Sequence, residues 1–145
     1  PRRFWDTGVM SVPTPLDASS VRSPRVNTSA IGVDVGLVVL FAAIGYYTHH
    51  NELNFSGLAT TAWPFVAALL AAHVLLAALR RPAASVISGF VVWIVTVSGG
   101  MALRRLAEEG TDTAFIIVAT VFNAATLIGW RLVTHFIQHR QPGSR

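Results

Sequence analysis

The chain has 145 residues, of which 52% are hydrophobic and only 12% are charged. A soluble domain usually has about 25% charged residues, so this composition excludes an ordinary soluble domain. The absence of cysteine excludes disulfide scaffolds, thiolate metal sites and cysteine nucleophiles. The formal net charge of +4 would suit a nucleic-acid partner, but the arginines lie at the ends of apolar segments. Because membrane proteins place arginine there, we expect no nucleic-acid binding.

Polar segments flank the apolar part of the chain. Residues 1–29 are rich in Ser, Pro, Thr and Arg, and no apolar region follows Arg2 and Arg3. This excludes a signal peptide, whose apolar region follows its basic one. We therefore interpret residues 1–29 as a disordered cytoplasmic tail and residues 140–145 as a short cytoplasmic C-terminal tail.

Residues 30–139 contain four apolar segments, and we interpret this range as a transmembrane domain. They cover 31–47, 63–79, 84–103 and 114–137. Crossing a bilayer takes roughly 17–25 helical residues, and backbone groups in lipid must be hydrogen-bonded within a helix. The sequence therefore predicts an all-α integral membrane bundle of four transmembrane helices.

Local signals predict where these helices begin and end. Pro64 is expected in the first turn of the second helix, where the missing N–H is tolerated. Two arginine–glutamate pairs at a spacing of four residues favour an extension of the third helix to Glu109. Gly110 is then expected to end that helix, and Thr111 or Asp112 to cap the fourth.

The distribution of arginine predicts the orientation of the bundle. With the N-terminus in the cytoplasm, only Arg104 and Arg105 lie outside. The cytoplasmic arginines are then Arg2, Arg3, Arg22, Arg25, Arg80, Arg81, Arg131, Arg140 and Arg145. Because cytoplasmic segments carry the excess of basic residues, we expect a bacterial plasma-membrane protein with both termini in the cytoplasm.

The two halves of the chain resemble each other. Gly36 to Val39 matches Gly89 to Val92, and Phe65 matches Phe115. The other pairs in the second register are His73 with Asn123 and Arg81 with Arg131. One interpretation is a pair of parallel helical-hairpin repeats. The alternative is that apolar helices resemble one another by composition alone.

Three ionisable residues lie inside the predicted spans. An ionisable side chain at a helix centre costs at least about 2.5–3.5 kcal/mol, so Asp34, His73 and Arg131 are candidate site residues. In one interpretation Asp34 pairs with Arg131 near His73, as a structural link or as a proton or ligand site. In the other, Asp34 caps its own helix and Arg131 extends to the headgroups.

Other residues predict contacts between helices. Thr96 and Asn123 are expected to form interhelical hydrogen bonds. Trp130 lies near a helix end, where aromatic residues anchor at the membrane interface. Small residues four apart allow close helix packing. These pairs are Gly32 with Gly36, Ala68 with Ala72, and Ala125 with Gly129.

Catalytic and cofactor motifs are absent from the sequence. It has no G-x-S-x-G, H-E-x-x-H, G-x-x-x-x-G-K-[ST] or G-x-G-x-x-G pattern. His73 and His135 form the one candidate pair of haem ligands, and no local motif supports it. We therefore expect neither an enzyme nor a cofactor or metal site.

Several short elements resemble a known family. They are Asp34, Gly45, His49, Thr61 to Phe65, Gly89, Val92-Trp93, Thr96, Gly100-Met101, Leu103-Arg104, Phe115 and Trp130-Arg131. Over residues 31–135 the chain resembles a family of small four-helix membrane proteins of unknown function, found mainly in actinobacteria. The resemblance implies topology and lineage but no activity.

Two functional hypotheses follow. The small size and the lack of a catalytic motif favour an accessory or assembly subunit of a larger bacterial membrane complex. The alternative is a small transporter or channel that acts as a homo-oligomer, with Asp34, His73 and Arg131 as its polar site. Its expected partners are the lipid bilayer and either other membrane subunits or further copies of the chain.

Overall fold

The structure, a computed structural model, describes residues 28–50 and 52–140. Within these residues it contains helices and no strand, which confirms the predicted all-α class. The helices are α1 (Thr28–His50), α2 (Phe55–Ala78), α3 (Val86–Leu106) and α4 (Thr113–His139). Each is long and apolar enough to cross a membrane, so the chain is a membrane-embedded protein with four spans.

The outer helices differ from their predicted bounds only at the ends. Thr28 and Ser29, which the sequence assigned to the N-terminal tail, are the first residues of α1. The C-terminal end of α4 is His139, beyond the predicted end at residue 137. The rest of the two predicted tails, residues 1–27 and 141–145, lies outside the described residues.

α2 begins earlier than the sequence predicted. Asn54 caps the helix, because its Oδ1 accepts a hydrogen bond of 2.7 Å from the backbone N–H of Gly57. The prediction of Pro64 in the first turn is therefore wrong, and this residue lies buried inside α2. The weakly apolar residues before Pro64 join the helix because the cap satisfies one of their free N–H groups.

The predicted extension of α3 to Glu109 is also wrong. The helix ends at Leu106, and Glu108 has the left-handed backbone conformation, with a φ of 57°. The sequence had predicted that Gly110 would end the helix in this way. The chain turns back so that Arg104 Nη1 lies 2.7 Å from Glu109 Oε2. This ion pair replaces the two predicted pairs along one helix face. Asp112 occupies the cap position of α4, but its side chain makes no capping bond.

The helices follow one another around the bundle. Each contacts its neighbour in the chain, and α4 closes the ring against α1. The largest interface joins α2 to α3, whereas the interface between α1 and α4 is the smallest. Because the connections are short, neighbouring helices run antiparallel. The two ends of the bundle therefore contain different connections. We call the end with Thr28 and Arg140 the terminal end, and the end with the α1–α2 and α3–α4 connections the distal end.

Aromatic side chains fill the distal half of the bundle. The rings of Phe41 and Phe65 are 5.4 Å apart in an edge-to-face arrangement. Phe115 lies 5.9 Å from Phe41 and 6.0 Å from Phe65, and Phe122 lies 5.7 Å from Phe41. These spacings are typical of favourable ring pairs. The cluster therefore joins α1, α2 and α4 by packing alone.

Only one of the three predicted small-residue pairs lies at a helix interface. Ala68 and Ala72 are buried, and a Cβ built on Gly99 would lie 2.9 Å from that of Ala68. By contrast, Gly32 and Gly36 face open space, as does Gly129, whose partner Ala125 is exposed. Those two pairs are not packing faces in this bundle. Each has a glycine two residues before a buried charge, and two residues span about 200° of helix rotation. The charge and the glycine therefore face opposite directions.

The halves of the chain place one matched pair in the same surroundings and another pair in different surroundings. Phe65 and Phe115 both contribute to the aromatic cluster. However, Gly36 faces open space, whereas a Cβ on Gly89 would lie 2.7 Å from Arg131 Cδ. The pair of parallel repeats therefore stays a hypothesis.

Candidate functional site

Asp34 and Arg131 lie on the buried stripes of their helices. On α1 the stripe passes through Ala30, Asp34 and Val38. On α4 it passes through Leu127 and Arg131. Residues four apart share a helix face, so each charge is buried together with the apolar residues of its face when the helices pack. Both side chains are fully buried, at 0% exposure.

The two charges form a two-pronged ion pair between α1 and α4. Arg131 Nη1 donates to Asp34 Oδ1 at 2.9 Å, and Arg131 Nη2 donates to Asp34 Oδ2 at 2.7 Å. The planar guanidinium matches a carboxylate in this geometry, which makes it one of the stronger side-chain pairs. The pair bridges the smallest helix interface of the bundle.

Two further side chains bind the same carboxylate. His73 Nε2, on α2, lies 2.9 Å from Asp34 Oδ2. Because a carboxylate only accepts, this bond places the imidazole proton on Nε2. Trp130 Nε1 donates to Asp34 Oδ1 at 2.8 Å. We call Asp34, His73, Trp130 and Arg131 the Asp34 cluster.

Arg131 also binds backbone oxygens near the terminal end. Its Nε donates to the carbonyl of Ala83 in the α2–α3 connection at 2.9 Å, and its Nη1 donates to the carbonyl of Leu127 at 2.7 Å. All three guanidinium nitrogens therefore have partners, and each carboxylate oxygen of Asp34 has two. The cluster links α1, α2, α4 and the α2–α3 connection.

These contacts offset the free-energy cost of burying two charges. Removing two ions from water is expensive unless their geometry is good and the remaining donors and acceptors are bonded. Here the opposite charges of Asp34 and Arg131 cancel. The chemistry that the geometry favours is a fixed, hydrogen-bonded link between helices.

The predicted interhelical bonds of Thr96 and Asn123 are absent from the part of the chain that the structure describes. Both side chains are fully buried. Asn123 Nδ2 donates to the carbonyl of Ala119 in its own helix at 2.8 Å. Asn123 Oδ1 and Thr96 Oγ1 have no partner. A short polar side chain reaches its own backbone four residues back more easily than a neighbouring helix, which accounts for the Asn123 bond.

Sequence reasoning missed two residues around the cluster. It assigned Trp130 to the membrane interface, although Trp130 also adjoins Arg131 in the chain and stacks on its guanidinium at 4.5 Å. It placed Gly89 in the internal repeat and in the family resemblance, but not beside Arg131. The structure places Gly89 against the side chain of Arg131, where a methyl group would collide. Spacing on one helix could not reveal Gly89, because the contact joins α3 to α4.

Comparisons with known proteins identify a family but no activity. Residues 31–134 match the family model described as "Protein of unknown function (DUF3054)". The match confirms the resemblance to a family of unknown function over nearly the same residues. No curated protein and no solved structure matches the chain.

Proposed function

Because the chain belongs to the DUF3054 family of proteins of unknown function, we propose a role from its own geometry: it is an accessory or assembly subunit of a larger bacterial membrane complex. It resides in the plasma membrane with both termini in the cytoplasm, and it has no catalytic activity. The excess of arginine on the terminal side supports this orientation.

The burial of the Asp34 cluster is the observation that supports this proposal. Asp34 and Arg131 are fully buried and His73 is 6% exposed, so little of the cluster is open to a passing ion. A transport route normally brings intramembrane ionisable groups to a water-filled cavity. Within the described residues, the cavity at the distal end and the one beside the α2–α3 connection include no member of the cluster. A closed core favours a protein that acts through its outer surface.

The exposed face of α1 is the surface to test for a partner. Gly32 and Gly36 face open space there, beside the exposed side chains of Val33 and Leu40. Small residues on a membrane helix permit the close approach of another helix. A bulky residue at position 36 would block such an approach without disturbing the bundle, because no described neighbour lies within 4 Å of a Cβ built there.

The experiment isolates the complex from native membranes in a gentle detergent and identifies stoichiometric components by mass spectrometry. We expect a larger complex that loses this subunit in the Gly36→Leu variant. Gly129→Leu is the matched control, since its Cβ also meets open space, on α4. A chain that purifies alone from its native membrane overturns the proposal.

A second candidate function, transport as a homo-oligomer, rests on the bond between His73 and Asp34. A titratable imidazole bound to a buried carboxylate is a common element of proton relays. Purified protein in liposomes with a pH-sensitive dye tests this. Proton movement that disappears in a folded His73→Gln variant would favour transport over the accessory role.

A further inference from the structure

A cavity of about 380 Å³ opens at the distal end of the bundle. All four helices and the α3–α4 connection contribute to it. Phe41 and Phe115 line it with aromatic rings, and His49, Arg104 and Asp112 add polar groups. Its size lies within the range of small-molecule sites, and its mostly apolar lining with a few converging polar groups is typical of them.

Arg104 is held near Glu109 and Gly110 but keeps two buried nitrogens without a hydrogen-bond partner. Its Nη1 pairs with Glu109 Oε2 at 2.7 Å, and its Nη2 donates to the carbonyl of Gly110 at 3.1 Å. Its guanidinium stacks over the ring of Phe115 at 4.5 Å. Nε and Nη1 are both buried and have no hydrogen-bond partner, although Nη1 is in the ion pair with Glu109. A buried guanidinium N–H normally finds an acceptor, so the Nε–H, which has no ion-pair partner either, points to an acceptor supplied from outside the chain.

The charges around the cavity exclude a simple anion site. Glu109 already neutralises Arg104, and the carboxylate of Asp112 lines the same cavity without capping α4. Tyr46 and His49 also line the cavity. The formal charges of Arg104, Glu109 and Asp112 sum to a negative value. An anionic head would therefore be repelled, whereas an uncharged acceptor would not.

We infer that this cavity binds an uncharged amphipathic molecule with a carbonyl oxygen. The carbonyl oxygen accepts the Nε–H of Arg104, and the apolar body lies against Phe41 and Phe115. A glycerol ester of the bilayer and a free lipid-soluble ketone both have this chemistry. The inference is independent of the accessory role, because it concerns the opposite end of the bundle from the Asp34 cluster.

The test uses the full chain in detergent micelles with three photoactivatable probes of equal chain length. They are a diazirine monoacylglycerol, the corresponding diazirine fatty acid at pH 8, and a diazirine alkane without a carbonyl. Labelled peptides are mapped by mass spectrometry. We expect saturable labelling by the monoacylglycerol within residues 41–49 and 112–118. The alkane should label the lipid-facing surfaces without saturation.

Two variants and a control locate the binding. Arg104→Gln should weaken the labelling about tenfold, as expected for the loss of one charge-assisted hydrogen bond. Gly45→Leu should abolish it by filling the cavity, because Gly45 lines the cavity and its Cβ meets open space. The matched control Gly129→Leu, which lies outside the lining, should label normally.

Equal or stronger saturable labelling by the fatty acid would overturn the inference in favour of an anion site. Labelling that persists in a folded Gly45→Leu variant would overturn the location. Competition by dioleoylphosphatidylcholine would identify a bilayer ester as the occupant, and saturable labelling without such competition would identify a free carbonyl compound. Both of these outcomes support the inference.

Discussion

Arg131 and Arg104 lie in opposite halves of the bundle and are bonded differently. Arg131 is fully buried in the terminal half, and all of its nitrogens have partners. Arg104 is 11% exposed at the distal end, and its Nε and Nη1 have no hydrogen-bond partner. Within the hydrocarbon core no water is available, so an unpaired donor on a charged group is especially costly there. Near a connection between helices, water or a ligand can supply the missing acceptor.

Arg131 therefore has a structural role, whereas Arg104 still has donors that a ligand could use. The terminal half is held by charge-assisted hydrogen bonds around Asp34, and the distal half is held by the rings around Phe41 and Phe65. A charge that completes its bonds within the chain has little capacity left for a ligand. The variants below test whether the two halves differ in this way.

The largest loss is expected for Asp34→Ala. This change leaves the Arg131 charge buried without its partner, which should lower the free energy of unfolding by about 3–5 kcal/mol. Denaturation with SDS from mixed micelles measures it. The double variant with Arg131→Ala should recover part of the loss, because the unpaired charge is then gone. Losses that simply add would contradict the link.

Gly89→Ala should have the next largest effect. The added Cβ would lie 2.7 Å from Arg131 Cδ, in a side chain that its hydrogen bonds hold in place. We expect a loss of about 1–3 kcal/mol, as for other overpacked sites. Gly36→Ala is the matched control in open space and should change stability by at most about 0.5 kcal/mol. Equal effects of the two variants would show that Arg131 can move freely.

Trp130→Phe removes one donor to Asp34 and keeps an aromatic ring. The expected loss is about 1 kcal/mol, in the upper part of the range for interhelical hydrogen bonds in membranes. Trp93→Phe is the control, since Trp93 Nε1 donates to the uncharged carbonyl of Thr120 at 2.9 Å. Its loss should be smaller because a charged acceptor makes the stronger bond. The opposite order in thermal unfolding would argue against a charged Asp34.

The smallest effect is expected for Glu109→Gln at the distal end. Arg104 keeps its bond to Gly110 and its stacking on Phe115, so the loss should stay below about 1 kcal/mol. The same SDS titration measures it beside Asp34→Ala. A loss as large as that of Asp34→Ala would remove the distinction between the two ends.

Hydrophobicity along the chain was sufficient to predict the class and the number of spans. Helix ends were less predictable, because they depend on single bonds. Asn54 begins α2 well before Pro64, and Glu108 turns the chain after α3 without a glycine. Neither event leaves a periodic signal. The sequence also marked Asp34, His73 and Arg131 as costly inside a membrane, which made them candidates for one site.

The sequence by itself determined that this chain forms four membrane helices with few intramembrane charges, since the bilayer accepts little else. Only the tertiary structure decided which faces meet. It turned Gly32 and Gly36 outward and Asp34 inward, because residues two apart on a helix face opposite ways. It also brought Trp130 and Gly89 to Arg131 and left Arg104 with an unmatched donor. Contacts between helices depend on their rotation and depth, which no single helix encodes.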